Sequence, residues 1–342
     1  MSTPFLHEGR LRPWVLPMLL LLVAATAAVA LAIGRFNVSL PDLWEAFHAR
    51  ATGAVHSDPA IDSVVFNLRL PRVIVAILIG AGMAVAGAAY QSLFSNPLAT
   101  PDTLGVASGT CVGAVLGLLL NWNLVGVQAV ALVGGLVTVL ITTTVARTRN
   151  GRDVVMLVLA GVIVGALADA VLSILKLTAD PTSELPEITY WLMGSLAGIS
   201  YQQITFAVPL LLLGMGVILA LRWRLNVLSL SDDEARAAGV NLRTLRIGII
   251  VAGTVVTASV ISMCGQVGWI GLIVPHAARM LTGSNNRQLL PVCVLLGAVI
   301  MLVIDTVART ITAAEVPVSV VSAIVGAPFF ITLLRRTMGS RA

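Results

Sequence analysis

The residues of this 342-residue chain that could do chemistry are few and widely spaced. Asp169 and Asp305 stand inside long apolar runs, where an ionisable side chain is costly and is a functional candidate by default. Arg309 follows Asp305 by four residues, the helical spacing of a local ion pair, whereas Asp169 has no such neighbour and could face a wet pathway or couple an ion. Arg69-Leu-Pro-Arg72 sets two guanidinium groups three positions apart around a proline suited to a first helical turn. Arginines at helix ends ordinarily snorkel to the interface. Further on, Ser231-Asp232-Asp233-Glu234-Ala-Arg236-Ala-Ala-Gly239 encodes a short helix. Ser231 and Glu234 form a capping box, Asp232 and Asp233 place negative charge at the positive helix end, and Gly239 supplies the stop.

Several chemistries are excluded by what the chain lacks. Its one lysine, Lys176, follows Leu175, so no Gly-Lys-Ser/Thr phosphate cradle can form. No HExxH or GxSxG motif occurs, and Cys111, Cys264 and Cys293 lie far apart in apolar stretches, as small packing residues do. His276, after Pro275, has no second metal ligand at suitable spacing and reads as structural.

The elements that must position these residues are membrane helices. Of the residues, 58% are hydrophobic and 11% charged, with a mean hydropathy of +0.97, and a water-soluble chain of that make-up could not cover its own surface. A soluble enzyme, a nucleic-acid binder and a disulfide framework are thereby excluded. Ten apolar spans are expected: 14–34, 73–94, 104–120, 125–146, 154–175, 204–223, 247–264, 267–281, 290–307 and 316–334. The first is too long for a signal-peptide core and is taken as an uncleaved helix. Gly113/Gly117 and Gly161/Gly165 have the spacing that lets helix backbones approach closely, within one chain in the ordinary case.

Ten spans put both termini on one side. With the N-terminus inside, fifteen of the 21 basic residues fall in inside loops and ends, which sets an N-in, C-in topology. The whole chain, 1–342, then reads as one transmembrane domain with three longer extramembrane segments. Residues 35–70, with a surface helix near 41–50, and 177–203, with Glu184 and Glu187, lie outside; 222–246 lies inside. The short capped helix in that inside loop has a small flank of Ala235, Ala237 and Ala238, shaped for a cleft in another protein. On a chain without an ATP site, it suggests docking to an ATPase.

Taken in order, these motifs resemble the FecCD-type permease subunit of ABC importers for ferric siderophores, haem and cobalamin. The resemblance runs over nearly the whole chain. It is carried by Arg69-Leu-Pro-Arg72, Gly80-Ala-Gly-Met-Ala-Val-Ala-Gly87, Asn96-Pro-Leu-Ala-Thr-Pro-Asp-Thr-Leu-Gly-Val106 with Ser108-Gly109, and Leu159-Ala-Gly-Val162. Trp191-Leu-Met-Gly-Ser-Leu-Ala-Gly198, the loop from Ser231 to Val240, Gly271-Leu-Ile-Val-Pro-His276, and Pro317 with Gly326-Ala-Pro-Phe-Phe330 complete it.

The resemblance implies an all-α fold with inverted related halves, although no internal repeat is visible in the sequence. It also implies a second copy of the chain sharing a central pathway, two ATPase subunits below that hold the ATP and Mg, and a periplasmic binding protein above. The setting would be a bacterial inner membrane. No cofactor is expected in this chain and no nucleic acid as partner. In such permeases Arg69, Arg72 and an arginine matching Arg309 grip carboxylates of the binding protein, where a planar fork does what lysine would not. Ser231, Asp232, Asp233, Glu234, Arg236 and Gly239 fall in the ATPase-coupling loop. The fifth span lines the pathway, with Asp169 on it, and the inner gate falls at Asn96, Pro97 and Leu98 and at Asp153, Val154 and Val155. The family often has small hydroxylic residues where Asp153 to Val155 stand, so this chain departs from the pattern there. The expected cargo is an iron complex, haem or a ferric siderophore, with cobalamin as the alternative. A secondary transporter driven through Asp169 is the rival class, and it has no need of the capped inside helix.

Overall fold

The computed structural model describes residues 5–7, 10–54, 58–148, 151–152, 154–230, 232–312 and 314–339. The chain runs through α1 (Val15–Ala32), α2 (Leu40–Thr52), α3 (Pro59–Ser63), α4 (Leu70–Leu93), α5 (Val106–Leu119), α6 (Leu124–Val145) and α7 (Val154–Thr178). It continues through α8 (Glu184–Leu192), α9 (Tyr201–Ala220), α10 (Asp232–Ala237), α11 (Leu242–Cys264), α12 (Ile270–Thr282), α13 (Asn286–Thr310) and α14 (Val318–Gly339). Among the described residues the only extended pairings are two-residue ladders, Leu6–His7 with Arg10–Leu11 and Arg147–Thr148 with Gly151–Arg152.

Polar caps set where apolar helices begin. The side chains of Asn123 and Asn241 accept from the backbone N–H of Gly126 at 2.8 Å and Thr244 at 3.2 Å, satisfying donors that the first turns of α6 and α11 leave orphaned. At the surface, Ser39 and Asp42 close a reciprocal capping box over α2, which is the helix expected outside the membrane.

Seven helical segments are long and apolar enough to cross a bilayer: α1, the continuous run Pro59–Leu93, α6, α7, α9, α11 and α13. The expected spans at 104–120 and 267–281 form shorter helices, α5 and α12, and the apolar part of α14 covers Val318–Thr332. The spans divide into core and rim. In Pro59–Leu93, 83% of the apolar window is buried, and in α11, 78%, against 17% in α1 and 22% in α7. The rim helices turn Leu21, Val162 and Leu177 outward, apolar surface better suited to lipid or another helix than to water.

Glycine sets the closest helix crossing. A Cβ on Gly80 of α4 would lie 2.1 Å from the Gly297 carbonyl oxygen of α13, so neither position admits a side chain and the two backbones touch. Gly113 and Gly161 likewise meet the carbonyls of Val130 and Thr103, so both expected small-residue pairs serve packing inside the chain.

Two boundaries differ from expectation. The segment at 59–70 is not a loop but the upstream part of the α4 run, joined through a π-helical turn at Val64–Arg69. The expected span at 267–281 begins as a helix only at Ile270, so Pro275 and His276 lie inside α12. All three cysteines are buried and free, as expected.

Candidate functional site

The upstream extension of α4 explains how Pro71 can sit inside a helix. In the π-helical turn Leu70 donates to Val65 O, five residues back, so the next donor in that pattern would be Pro71, which has none. The hydroxyl of Tyr201 donates to Phe66 O at 2.6 Å instead. This leaves Arg69 at the end of the π turn and Arg72 in the first turn of α4, both pointing into the protein, 6% and 9% exposed.

The Gly80–Gly297 crossing brings the start of α4 against the last turns of α13. Arg72 therefore meets Asp305, although 233 residues separate them in sequence. Its Nε donates to both Asp305 carboxylate oxygens at 3.0 and 3.1 Å, and one terminal nitrogen donates to Oδ1 at 2.8 Å. The other edge of the same guanidinium donates to Glu315 Oε1 and Oε2, each at 2.9 Å. Arg72 is thus clamped between two carboxylates in bidentate fashion, the geometry for which arginine is suited and lysine is not. Asp305 is fully buried, while the side chain of Glu315, on the segment after α13, is 21% exposed.

Arg69 and Arg309 solve a different problem. The last carbonyls of α1 have no helical partners and carry the negative end of its dipole. Arg69 donates to Ala32 O at 2.8 Å and also to Leu31 O and Phe36 O, and Arg309 donates to Ala30 O. Two arginines therefore cap one helix. Asp305 Oδ2 lies 3.8 Å from Arg309 Nε, so the expected i,i+4 pair is present, but the closer partner of Asp305 is Arg72. Three guanidinium groups face two carboxylates, which leaves the cluster with net positive charge beside a cavity of about 300 Å³ also lined by Arg35 and Gly198.

The structure thus brings together the three arginines expected to dock a partner, and shows them occupied within the chain. Glu315 was not legible as their partner: it stands outside the apolar spans, and its only signal was its nearness to Arg309 in sequence. Arg72→Glu would set a third carboxylate against Asp305 and Glu315, so charge reversal here tests folding before it tests docking.

The inside loop folds as expected in part. Ser231 lies outside the described residues, as do the side chains of Asp232, Asp233 and Arg236. α10 is present, and Gly239 adopts φ +73°. Val240 N donates to Ala235 O at 3.0 Å, the six-to-one bond of a Schellman stop, and Ala235 and Val240 are both buried at that contact. The alanine flank is therefore split. Ala235 anchors α10 on its own chain, while Ala237 and Ala238 are exposed, because Ala238 already lies beyond the last helical residue. Glu234 is exposed as well.

At the expected gate, Asn96 and Pro97 follow the end of α4 in a turn. Asn96 Oδ1 accepts from Leu98 N at 2.9 Å, Ser95 has φ +47°, and Asn96, Pro97 and Leu98 are exposed. Asp153 lies outside the described residues; Val154 is half-buried and Val155 exposed at the start of α7. Asp169 is exposed on α7. A second carboxylate, Asp102, stands in the Pro- and Thr-rich run before α5, where its type alone gives no sign of a site. Asp102 accepts from Ala107 N at 3.2 Å and lines a cavity of about 270 Å³ with Gln266 and Trp269. No group of three or more His, Cys, Asp or Glu that could hold a metal occurs among the described residues.

The described residues form a helical protein with membrane-length apolar segments, buried arginines capping one helix end and a separate short helix in a polar loop. Residues 20–336 match the FecCD transport family, and the chain belongs to that family. Its members are permeases of ABC importers, multi-pass membrane subunits that are generally not catalytic. The chain is 39% identical to the molybdate import system permease protein of Haemophilus influenzae, over 93% of this chain and 94% of that one. It is 33% identical to the hemin transport system permease protein of Yersinia pestis, over 98% and 99%. A solved metal-chelate type ABC transporter in an inward-facing conformation superposes with a TM-score of 0.86 at 36% identity, covering 95% of this chain and all of that one.

Proposed function

We propose that this chain is the translocation subunit of a binding-protein-dependent importer that moves an iron complex, haem or a ferric siderophore, across a bacterial inner membrane. α10 is the observation that carries the reading. It is a short helix, closed by Gly239 and anchored through Ala235, that leaves Ala237 and the following Ala238 exposed on a chain without a phosphate-binding loop. Energy then comes from ATPase subunits seated against α10. The three shorter apolar helices join the seven long ones to make ten crossings with both ends inside, and a second copy completes the pathway. α7 and Asp169 line that pathway, and the turns at Asn96–Leu98 and Asp153–Val155 gate it.

The binding protein docks at Arg69, Arg72 and Arg309. Glu315 holds the outward fork of Arg72, and a partner carboxylate takes its place, drawn by the positive excess of the cluster. Glu315→Gln is therefore expected to strengthen docking by up to about fivefold, the worth of a partly exposed ion pair. Surface plasmon resonance of the binding protein on the reconstituted permease reads this directly, and weaker docking would contradict it.

Molybdate is the second reading, favoured by the 39% identity to a molybdate permease. Uptake of labelled haem, ferric siderophore and molybdate by cells carrying or lacking this chain separates the two. Iron-complex uptake that needs both the chain and ATP supports the proposal. Molybdate uptake alone replaces the cargo, and uptake that survives ATP depletion with the ion gradient held overturns the class.

A further inference from the structure

The first turns of α1, the end of α9 and the first turns of α13 enclose a groove of about 520 Å³ at the end of α1 opposite the arginine cluster. Leu16 and Leu20 of α1, Leu219 of α9 and Val294 of α13 supply hydrocarbon walls, and Pro17 and Pro291 add rings that offer no N–H. The one charged residue lining it is Arg222, which follows α9 and is half-buried. Among the described residues no ion pair involves Arg222.

Such a groove facing the bilayer gives water nothing to bond to, and its hydrocarbon walls suit an acyl chain. Arg222 at its edge is a different matter, because a partly desolvated cation without a carboxylate is costly unless an anion reaches it. The surroundings fix the depth at which that anion sits. Trp14 and Trp223 are exposed beside the groove, 43% and 51%, and the Arg224 guanidinium lies 5.2 Å over the Trp223 ring. Exposed tryptophans mark the headgroup level. Arg12, just before α1, and Arg287, in the first turn of α13, are exposed at the same end, so the field there is positive.

We propose that this groove binds an anionic phospholipid, its acyl chain along Leu16, Leu20 and Val294 and its phosphodiester on Arg222. A zwitterionic lipid carries its own ammonium beside the phosphate and gains less from the arginines. The site is independent of cargo and of the docking cluster.

The test uses the intact chain, delipidated in mild detergent and titrated with phosphatidylglycerol or with phosphatidylcholine of the same acyl chains, with bound lipid counted by native mass spectrometry. The wild-type chain is expected to retain phosphatidylglycerol about fivefold over phosphatidylcholine, the worth of one arginine near a charged surface. R222Q should remove the preference and Arg222→Lys keep most of it. Val294→Trp, which fills the groove without touching the charge, should lower retention of both lipids. Equal retention of the two lipids by the wild-type chain, or an undiminished preference in R222Q, would overturn the proposal.

Discussion

Asp305→Ala is expected to remove most of the folded permease from detergent extracts. Asp305 is 1% exposed and holds Arg72 through three hydrogen bonds while lying 3.8 Å from Arg309. Taking one partner from a buried ion pair leaves the other charge uncompensated, which costs about 3–5 kcal/mol. Glu315 can hold only the outer edge of Arg72, and the Ala30 carbonyl, which accepts from one terminal nitrogen of Arg309, supplies no charge to replace the carboxylate. The loss is therefore not recovered nearby. Fluorescence-detected size exclusion after heating measures it, and Asp305→Asn, which keeps a carbonyl oxygen to accept from Arg72, should lose less than Asp305→Ala. An unchanged melting profile for Asp305→Ala would mean that the α4–α13 crossing is held by packing at Gly80 and Gly297 alone.

Gly239→Val is expected to cut uptake about tenfold, while leaving the melting profile of the membrane domain nearly unchanged. The residue sits at φ +73°, and a side chain there costs roughly 1–2 kcal/mol, which corresponds to about a tenfold change in an equilibrium. Among the described residues, no atom outside its chain neighbours lies within 4 Å of the position a Cβ would take, so the penalty is conformational and not steric crowding. It falls on the stop that holds Val240 against Ala235, and α10 would lose its fixed end. Gly239→Asn, which tolerates that backbone region, should keep most of the transport. Uptake by the valine variant at the wild-type rate would show that energy does not enter through α10.

What could be read in the residues beforehand was local. Hydropathy and the arginine count needed only the chain order, and the stop at Gly239 and the Asp305–Arg309 pair needed only helical spacing. The Arg72–Asp305 contact has no local signal, because it is made by a glycine crossing between helices more than two hundred residues apart. The upstream run of α4 was hidden by Asp62, Ser63 and Asn67, polar residues that lower the hydropathy, and by Pro71, which reads as a helix start. Tyr201 supplies from a distant helix the donor that Pro71 lacks, and no local pattern could announce that. The alanine flank shows the same limit: its composition suggested an outward face, and tertiary packing turned Ala235 inward.

The same separation explains why the arginines read as simple docking groups. Their residue types indicate carboxylate recognition, and that chemistry is present, but the nearest carboxylates are the chain's own. Burial under α1 gives Arg69 and Arg309 a capping task, while Arg72 holds on its outer edge the partly exposed carboxylate of Glu315.

The most direct measurement is native mass spectrometry of the tagged chain, taken from its own membranes in mild detergent. Two copies of the 35.7 kDa chain carrying two copies of a P-loop ATPase are what the proposed importer requires. The chain recovered alone, repeatedly and in several detergents, would contradict it and make Asp169 of α7 the next residue to replace.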